Sequence, residues 1–472
     1  MLKRIYRSSI VYIRATLILL IQTAFLYPDR GDLISTEILA TRNVNNTQTF
    51  IETELAQIVT DMFSIESAQY GYWLYKISYE TIDINGNPHV ATGSVSYPRV
   101  DWPDVPNQAF PIMSYQHGTV VEKSDVTSLA GEWILPAILT GAGYVYVEPD
   151  YLGLGGSEGM HPYQLKEPYG TAVVDMIRAV RYYAAFENDQ FIVNDQLFLA
   201  GYSEGGYATM AAHQIIERDY SDEFNITVSF PMAGAYSMSG LMVDLMLEQQ
   251  PYGQPFYFPY VLFAYLDSYP SIGTAEQYLL PEYVFLEDWF DGYHSSVEIN
   301  DAMPEIPITI MKVEEIQYFE ADANHPLRVA LQENDLWDWT PQAPIHLFHG
   351  IGDELVPYEN SQMAYDQFLV NGAQDIHLEP IPENFGGHSY VAPWALFGAY
   401  QIAKDIMMIN ELGDINQDGI LNILDLIGIA NIILGGSGWG GFDYTLWASD
   451  VNMDADINIQ DIVALVNIIL GN

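Results

Sequence analysis

The sequence predicts an α/β protein. A mostly parallel sheet covered by helices carries an inserted cap over its strand ends, and a small all-α segment follows. Three observations predict this. From residue 110 onward, short apolar runs alternate with loops and helical stretches, the pattern of strands joined by crossover helices. One run, Leu197 to Ala200, passes through Gly201-Tyr-Ser203-Glu-Gly205 into an alanine-rich stretch. Strand, Gly-x-Ser-x-Gly, helix is a turn that holds its serine in a strained conformation above the sheet. Finally, no Lys or Arg follows Lys404, and a repeat of different character begins after Gly413.

Composition sets the bounds. At 472 residues the chain is long enough for two or three domains. With 49% hydrophobic and 17% charged residues it is a cored globular protein. A net charge of −46 excludes nucleic acid and anionic membrane surfaces as main partners, since both need a positive face. The acidity fits a secreted or salt-adapted protein, and equally a surface tuned for solubility. With no cysteine, a thiol nucleophile, a thiolate metal site and a disulfide are all excluded.

Taken in order, residues 1–26 hold Lys3, Arg4, Arg7 and Arg14, followed by an apolar run from Ala15 to Leu26. This reads as a signal peptide or, if uncleaved, a membrane anchor. Residues 27–412 follow as the catalytic domain. Thr49 to Met62 has helical spacing, with Glu52 and Glu54 in the expected first turn. Tyr72 to Tyr79 and His89 to Tyr97 alternate as strands around Asn85-Gly-Asn-Pro88. Further strands are expected at Phe110–Tyr115, Tyr144–Val147, Leu197–Ala200, Ile226–Phe230, Ile345–Phe348 and Ile376–Pro380. Helices are expected at Thr171–Tyr183 and Pro393–Asn410. Residues 237–341 interrupt this series between the strands ending at Phe230 and starting at Ile345. Crowded with Phe, Tyr and Trp, they read as a cap or lid whose walls suit an apolar acyl or aryl group, although most of its rings would form the cap's own core.

In an open α/β sheet, functional residues lie at the carboxyl ends of strands. Ser203 follows one strand, Asp353 another, and His388 comes after the last, behind Gly386-Gly387. Serine at its own pKa is a poor nucleophile. His388 is expected to take its proton and Asp353 to orient the imidazole. The order Ser, Asp, His is that of α/β-hydrolases. His117, His161, His294 and His349 compete for the histidine role, but none of them follows the last strand. Acyl transfer also needs backbone donors for an oxyanion. These are expected from the amide of Glu204 and from Gly118 or Thr119.

These motifs resemble the secretory-lipase branch of the α/β-hydrolase family, similar to fungal lipase A enzymes and their bacterial relatives, over about residues 31–411. The resemblance rests on Gly31-Asp-Leu-Ile-Ser35, Tyr115-Gln-His-Gly-Thr-Val120, Pro149-Asp-Tyr-Leu-Gly-Leu-Gly155, His161-Pro-Tyr163, Val174-Asp-Met-Ile-Arg-Ala179, Gly201-Tyr-Ser-Glu-Gly-Gly206 and Pro231-Met-Ala-Gly234. It implies a secreted carboxylic ester hydrolase, an esterase or lipase acting on a small ester or lipid, with Ser203, Asp353 and His388 as triad and no cofactor for catalysis. Glu204 departs from the Gln or Gly expected there and sets a carboxylate beside the oxyanion hole. A serine peptidase of the same fold and a non-catalytic binding component stay open as alternatives.

Residues 413–472 contain two matching loops. Asp414, Asn416, Asp418, Ile420, Asn422 and Asp425 correspond to Asp450, Asn452, Asp454, Asp456, Asn458 and Asp461. Oxygen ligands at positions 1, 3, 5, 9 and 12, with a carbonyl at 7, make a calcium loop. Ala455 stands where glycine is usual at position 6. Two loops, each followed by a helix, resemble a dockerin module. That implies structural Ca2+, a cohesin-type scaffold partner and a secreted or cell-surface location in a bacterium. A calcium-stabilised domain without a partner is the other reading. With almost no linker after Leu412, the module is expected to pack on the hydrolase.

Overall fold

The computed structural model describes residues 29–58, 65–100, 106–188, 190–436 and 442–471. The expected signal segment lies outside the described residues. Among those described, no helix is long and apolar enough to cross a membrane.

Among the described residues, ten strands form one sheet. They are β1 (Leu33–Arg42), β2 (Gly71–Ile82), β3 (Pro88–Arg99), β4 (Gln108–Gln116), β5 (Val145–Pro149), β6 (Ile192–Tyr202), β7 (Ile226–Met232), β8 (Ile345–Gly350), β9 (Ile376–Ile381) and β10 (Asn410–Glu411). The order is β1-β2-β3-β5-β4-β6-β7-β8-β9, with β10 pairing β4. From β5 to β9 every neighbouring pair is parallel, while β1, β2 and β3 are antiparallel additions at one edge. The chain adds β5 on one side of β4 and β6 on the other. The sheet therefore reverses direction at β4, and a ligand crevice is expected at the carboxyl ends of β4 and β6.

Helices α1 (Val44–Ile58), α2 (Ile134–Ala142), α3 (Lys166–Tyr182) and α4 (Glu204–Asp219) precede the cap. Inside the cap lie α5 (Leu241–Leu247) and α6 (Tyr257–Ser268), and after it come α7 (Glu359–Val370) and α8 (His388–Ile406). Apolar residues of α3, such as Val173 and Ile177, pack with Phe110, Val145 and Leu197 on one face of the sheet. Val391, Ala395 and Ala399 of α8 pack with Phe198, Phe230 and Phe348 on the other. The core of the cap is continuous with that of the domain. Phe263, Leu279 and Ile310 belong to one buried cluster with Tyr207 of α4 and Leu347 of β8.

Several element bounds differ from the sequence reading, and three differences have a clear local cause. Helix α1 starts at Val44 because Asn43 accepts the Asn46 N–H on its side chain and the Thr47 N–H on its carbonyl. Glu52 and Glu54 therefore sit in the middle of the helix, not its first turn. Strand β1 is an added edge strand with several exposed side chains, so it shows no alternation. Helix α8 starts at His388 and carries Pro393 inside it, and the chain leaves the helix at Met407 to form β10.

The last segment folds as α9 (Ile423–Ile433), α10 (Phe442–Ser449) and α11 (Ile459–Leu470). It is joined to the sheet without a tether. Glu411 pairs with Gln108, Leu412 N–H donates to Asn107 O, and Trp447 Nε1 donates to Pro106 O. Gln417 exchanges side-chain and backbone hydrogen bonds with Asp195. Ile415, Ile429, Tyr444 and Leu465 share a buried cluster with Ala109 of β4. All of these contacts lie at the amino ends of β4 and β6, away from the crevice.

Candidate active site

The turn that carries Ser203 is built by steric necessity. Ser203 joins β6 to α4 with φ +63°, ψ −122°, outside the regions a serine prefers. Its N–H donates to Met232 O, which ties the turn to β7. Close approach of backbone requires the flanking glycines. A Cβ on Gly201 would lie 2.3 Å from Gly205 O, and one on Gly205 would lie 2.0 Å from Gln116 O.

Around this turn the three expected side chains meet. Ser203 Oγ is 2.8 Å from His388 Nε2, and His388 Nδ1 is 2.5 Å from Asp353 Oδ2. Asp353 and His388 are buried, while Ser203 is partly exposed. The other carboxylate oxygen of Asp353 accepts the N–H groups of Leu355 and Val356 at 3.0 and 2.8 Å, so Oδ2 is left to face the histidine. Burial works to raise the Asp353 pKa, but hydrogen bonds from His349 and His388 outweigh it and hold the carboxyl well below the usual range.

Three supporting contacts were not foreseen from sequence. His349 is fully buried, with Nε2 2.8 Å from Val356 O and 3.3 Å from Asp353 Oδ2. A carbonyl only accepts, so Nε2 carries the proton and donates toward both oxygens. Glu354 accepts the His388 N–H, and Tyr202 donates to His388 O at 2.6 Å. The His349-Gly350 dipeptide at a strand end was the available signal for the first. Nothing local marks the other two.

The residues expected to supply oxyanion donors lie at the same turn. Glu204 opens α4, so its N–H is a first-turn amide with no intrahelical acceptor. The loop of Gly118 and Thr119 lies against the turn, since a Cβ on Gly118 would stand 3.4 Å from Tyr202 O. It is held by Tyr151, which donates to His117 O, and by a Thr119–Tyr163 hydroxyl contact of 2.9 Å. The Glu204 carboxylate is tied down within the fold. It contacts His161 Nε2 and accepts from Tyr169 Oη, each at 2.9 Å. His161 Nδ1 lies 2.8 Å from Leu152 O, which fixes the ring with Nε2 toward Glu204. His294 stacks on Trp289 in the cap, 4.9 Å between ring centres, and makes no contact with Ser203, Asp353 or His388.

Ser203 and Glu204 line a cavity of about 1010 Å³, counted with its mouth. Its walls are almost wholly apolar and include Met242, Met246, Tyr257 and Val261 from the cap and Val356 from the domain. Residues 120–241 match the secretory lipase family. The rice cell wall degrading esterase LipA from Xanthomonas oryzae is similar in structure at 25% identity, with 80% of this chain and 99% of that chain covered and a TM-score of 0.68. A protein from Legionella pneumophila aligns at 27% identity over 79% of this chain and 97% of that one, with a TM-score of 0.68. Candida antarctica lipase A, at 16% identity, shares the fold over 76% and 78% of the two chains, with a TM-score of 0.54. No curated protein sequence matches the chain. The lipase match and the esterase neighbour support a carboxylic ester hydrolase.

Proposed function

We propose that the chain is a secreted serine esterase or lipase that works through an acyl-enzyme on Ser203. The observation that carries this reading is the hydrogen-bonded line from Ser203 Oγ through His388 to Asp353, opening into an apolar cavity. Ser203 Oγ attacks the ester carbonyl carbon while its proton passes to His388 Nε2. Negative charge develops on the carbonyl oxygen, where the Glu204 amide and the Gly118 or Thr119 amide receive it. The imidazolium is held against Asp353. As the C–O bond breaks, Nε2 returns the proton to the leaving alkoxide. Water then repeats the sequence on the acyl-enzyme and releases the acid.

The Met, Val and Tyr side chains of the cavity favour an apolar acyl chain, each buried methylene contributing about 0.8 kcal/mol. For soluble p-nitrophenyl esters, kcat/KM is therefore expected to rise about fourfold per methylene until the cavity is filled. Aminoacyl anilides should be poor substrates. A rate profile over ester lengths alongside an anilide series checks this, and faster anilide cleavage would favour the peptidase alternative.

For the C-terminal module we propose a calcium-ordered, dockerin-like domain that binds a cohesin-type partner. Its residues fit the ion. Asp414, Asp425 and Asp461 are buried, and the region has no Lys or Arg to balance them. Asp414, Asn416, Asp418, Asn422 and Asp425 in one loop, and Asp450, Asn452, Asp454, Asp456, Asn458 and Asp461 in the other, would hold Ca2+, with the Ile420 carbonyl at position 7 of the first. When bound, the ion supplies the charge that lets these carboxylates lie together. Exposed Ile423, Leu424 and Ile427 on α9, and Ile459 and Val463 on α11, offer apolar surface to a partner. Chelation by EGTA is expected to lower the Tm of the full chain and abolish cohesin binding. Hydrolysis of soluble esters should persist, because the module sits at the amino ends of the strands. Loss of all hydrolysis, restored by Ca2+, would show that module and site are coupled.

The second loop carries a built-in cost. Ala455 has φ +68° where Gly419 has φ +75° in the first loop. A left-handed alanine costs about 1 kcal/mol relative to glycine. Ala455→Gly is expected to tighten Ca2+ at that loop about fivefold, read by calorimetry, if the apo loop is too mobile to hold this conformation. An unchanged affinity would mean that the loop keeps it without the ion.

A further inference from the structure

A cluster on the far end of the sheet is used by none of this chemistry. We propose that His346, His377 and Glu379 form a site for a zinc-like divalent transition-metal ion that clamps the edge strand β9 to β8. The proposal does not depend on the esterase reading.

Backbone register places these groups together. His346 and His377 are direct partners in the parallel β8–β9 pair, so their side chains leave the sheet on one face. Glu379, two residues beyond His377, is on that face as well. The two imidazoles stack with ring centres 4.3 Å apart and planes 9° from parallel, and His346 stacks on Phe230 from its other side at 5.8 Å. His346 thus has its ring orientation set by packing before any ion arrives.

The spacing suits a small ion. One ligand atom from each of the three residues lies within 4.8 Å of the others. His346 Nδ1 is 3.2 Å from Glu379 Oε1. Two ligands about 2.0–2.1 Å from a tetrahedral ion stand roughly 3.3 Å apart, so this pair needs almost no movement to receive one. His377 Nε2 is 2.8 Å from Asp375 Oδ1. That contact holds the ring proton on Nε2 and leaves the Nδ1 lone pair free, the role an outer carboxylate plays for metal-bound histidine. Two imidazoles and one carboxylate select zinc, cobalt, nickel or copper over the calcium that the all-oxygen loops suit. His377 is exposed, which gives the ion a path in and leaves room for water as a fourth ligand.

The consequence is mechanical. β8 leads into the loop that holds Asp353, and β9 leads toward His388. An ion tying the two strands stabilises the end of the sheet that bears both residues, without touching the reacting atoms.

The test uses the full chain with excess Ca2+ present, so that the C-terminal loops are saturated. Zinc is titrated by calorimetry, and Tm is read with and without it. Wild type should bind one equivalent and gain Tm. His377→Gln and Glu379→Gln, both at exposed or partly exposed positions, should each weaken binding at least tenfold and remove the Tm gain. His294→Gln, at a cap histidine outside the cluster, should behave as wild type. Absence of saturable zinc binding in the wild type overturns the proposal, as does binding that neither cluster variant weakens.

Discussion

Ser203→Ala is expected to lower ester turnover by about 10⁴-fold or more, with little change in KM. Without Oγ there is no atom to form the acyl-enzyme, and His388 has no proton to take. What survives is the catalysis supplied by substrate binding and the oxyanion amides, roughly 10³–10⁴ over water in serine hydrolases. A loss of 10⁴ equals about 5.5 kcal/mol of barrier. Folding should be little affected, since the hydroxyl's one hydrogen bond is to His388 and alanine keeps the same strained backbone. Turnover under saturating soluble ester, together with Tm, checks this. Activity above a tenth of wild type would remove Ser203 from the mechanism. A wild type that cleaves no ester or anilide would instead favour the non-catalytic alternative.

The Gly201–Gly205 turn was legible because its constraints are local. Gly201, Ser203 and Gly205 are dictated by backbone approach within one strand–helix junction, so spacing alone exposes them. That Asp353 and His388 would meet Ser203 was legible through a rule about strand ends. β1 was not legible, because an exposed edge strand is held by backbone pairing and leaves no alternation. The start of α1 was misplaced because its capping side chain, Asn43, lies before the apolar pattern begins. His349 was noticed only as a competitor for the histidine role. Its contact with Asp353 depends on the turn of Leu355 and Val356 toward the carboxylate, a tertiary fact. Glu204 read as a stray carboxylate beside the oxyanion amides, and only the fold supplies His161 and Tyr169 to receive it. The close seating of the C-terminal module followed from the missing linker, but its place at β4 required β10, two residues long and invisible to periodicity.

Asp353→Asn is expected to lower turnover by about 10⁴-fold while leaving KM near wild type. The reason lies in which atom faces which. The Leu355 and Val356 amides both donate to Oδ1, so an asparagine keeps its carbonyl oxygen there and turns its NH2 group toward His388. That group donates to Nδ1 and forces the imidazole proton onto Nε2, which faces Ser203. A protonated Nε2 cannot accept the serine proton, and no carboxylate remains to stabilise the imidazolium. His349 adds to the effect, because its Nε2–H also points at the position the NH2 group would occupy. In the native protein Asp353 stays ionised because its pKa is held below the ordinary value. Its contribution to stability is therefore complete above the unfolded carboxyl pKa of about 4 and is lost as pH falls toward the lower folded value. The asparagine variant should lose that contribution, so its Tm should depend less on pH below about 4. Asp338, which accepts from Gln367 and Asn371, serves as the control carboxylate. If Asp338→Asn cost more turnover than Asp353→Asn, the acid of the triad would have to be sought elsewhere.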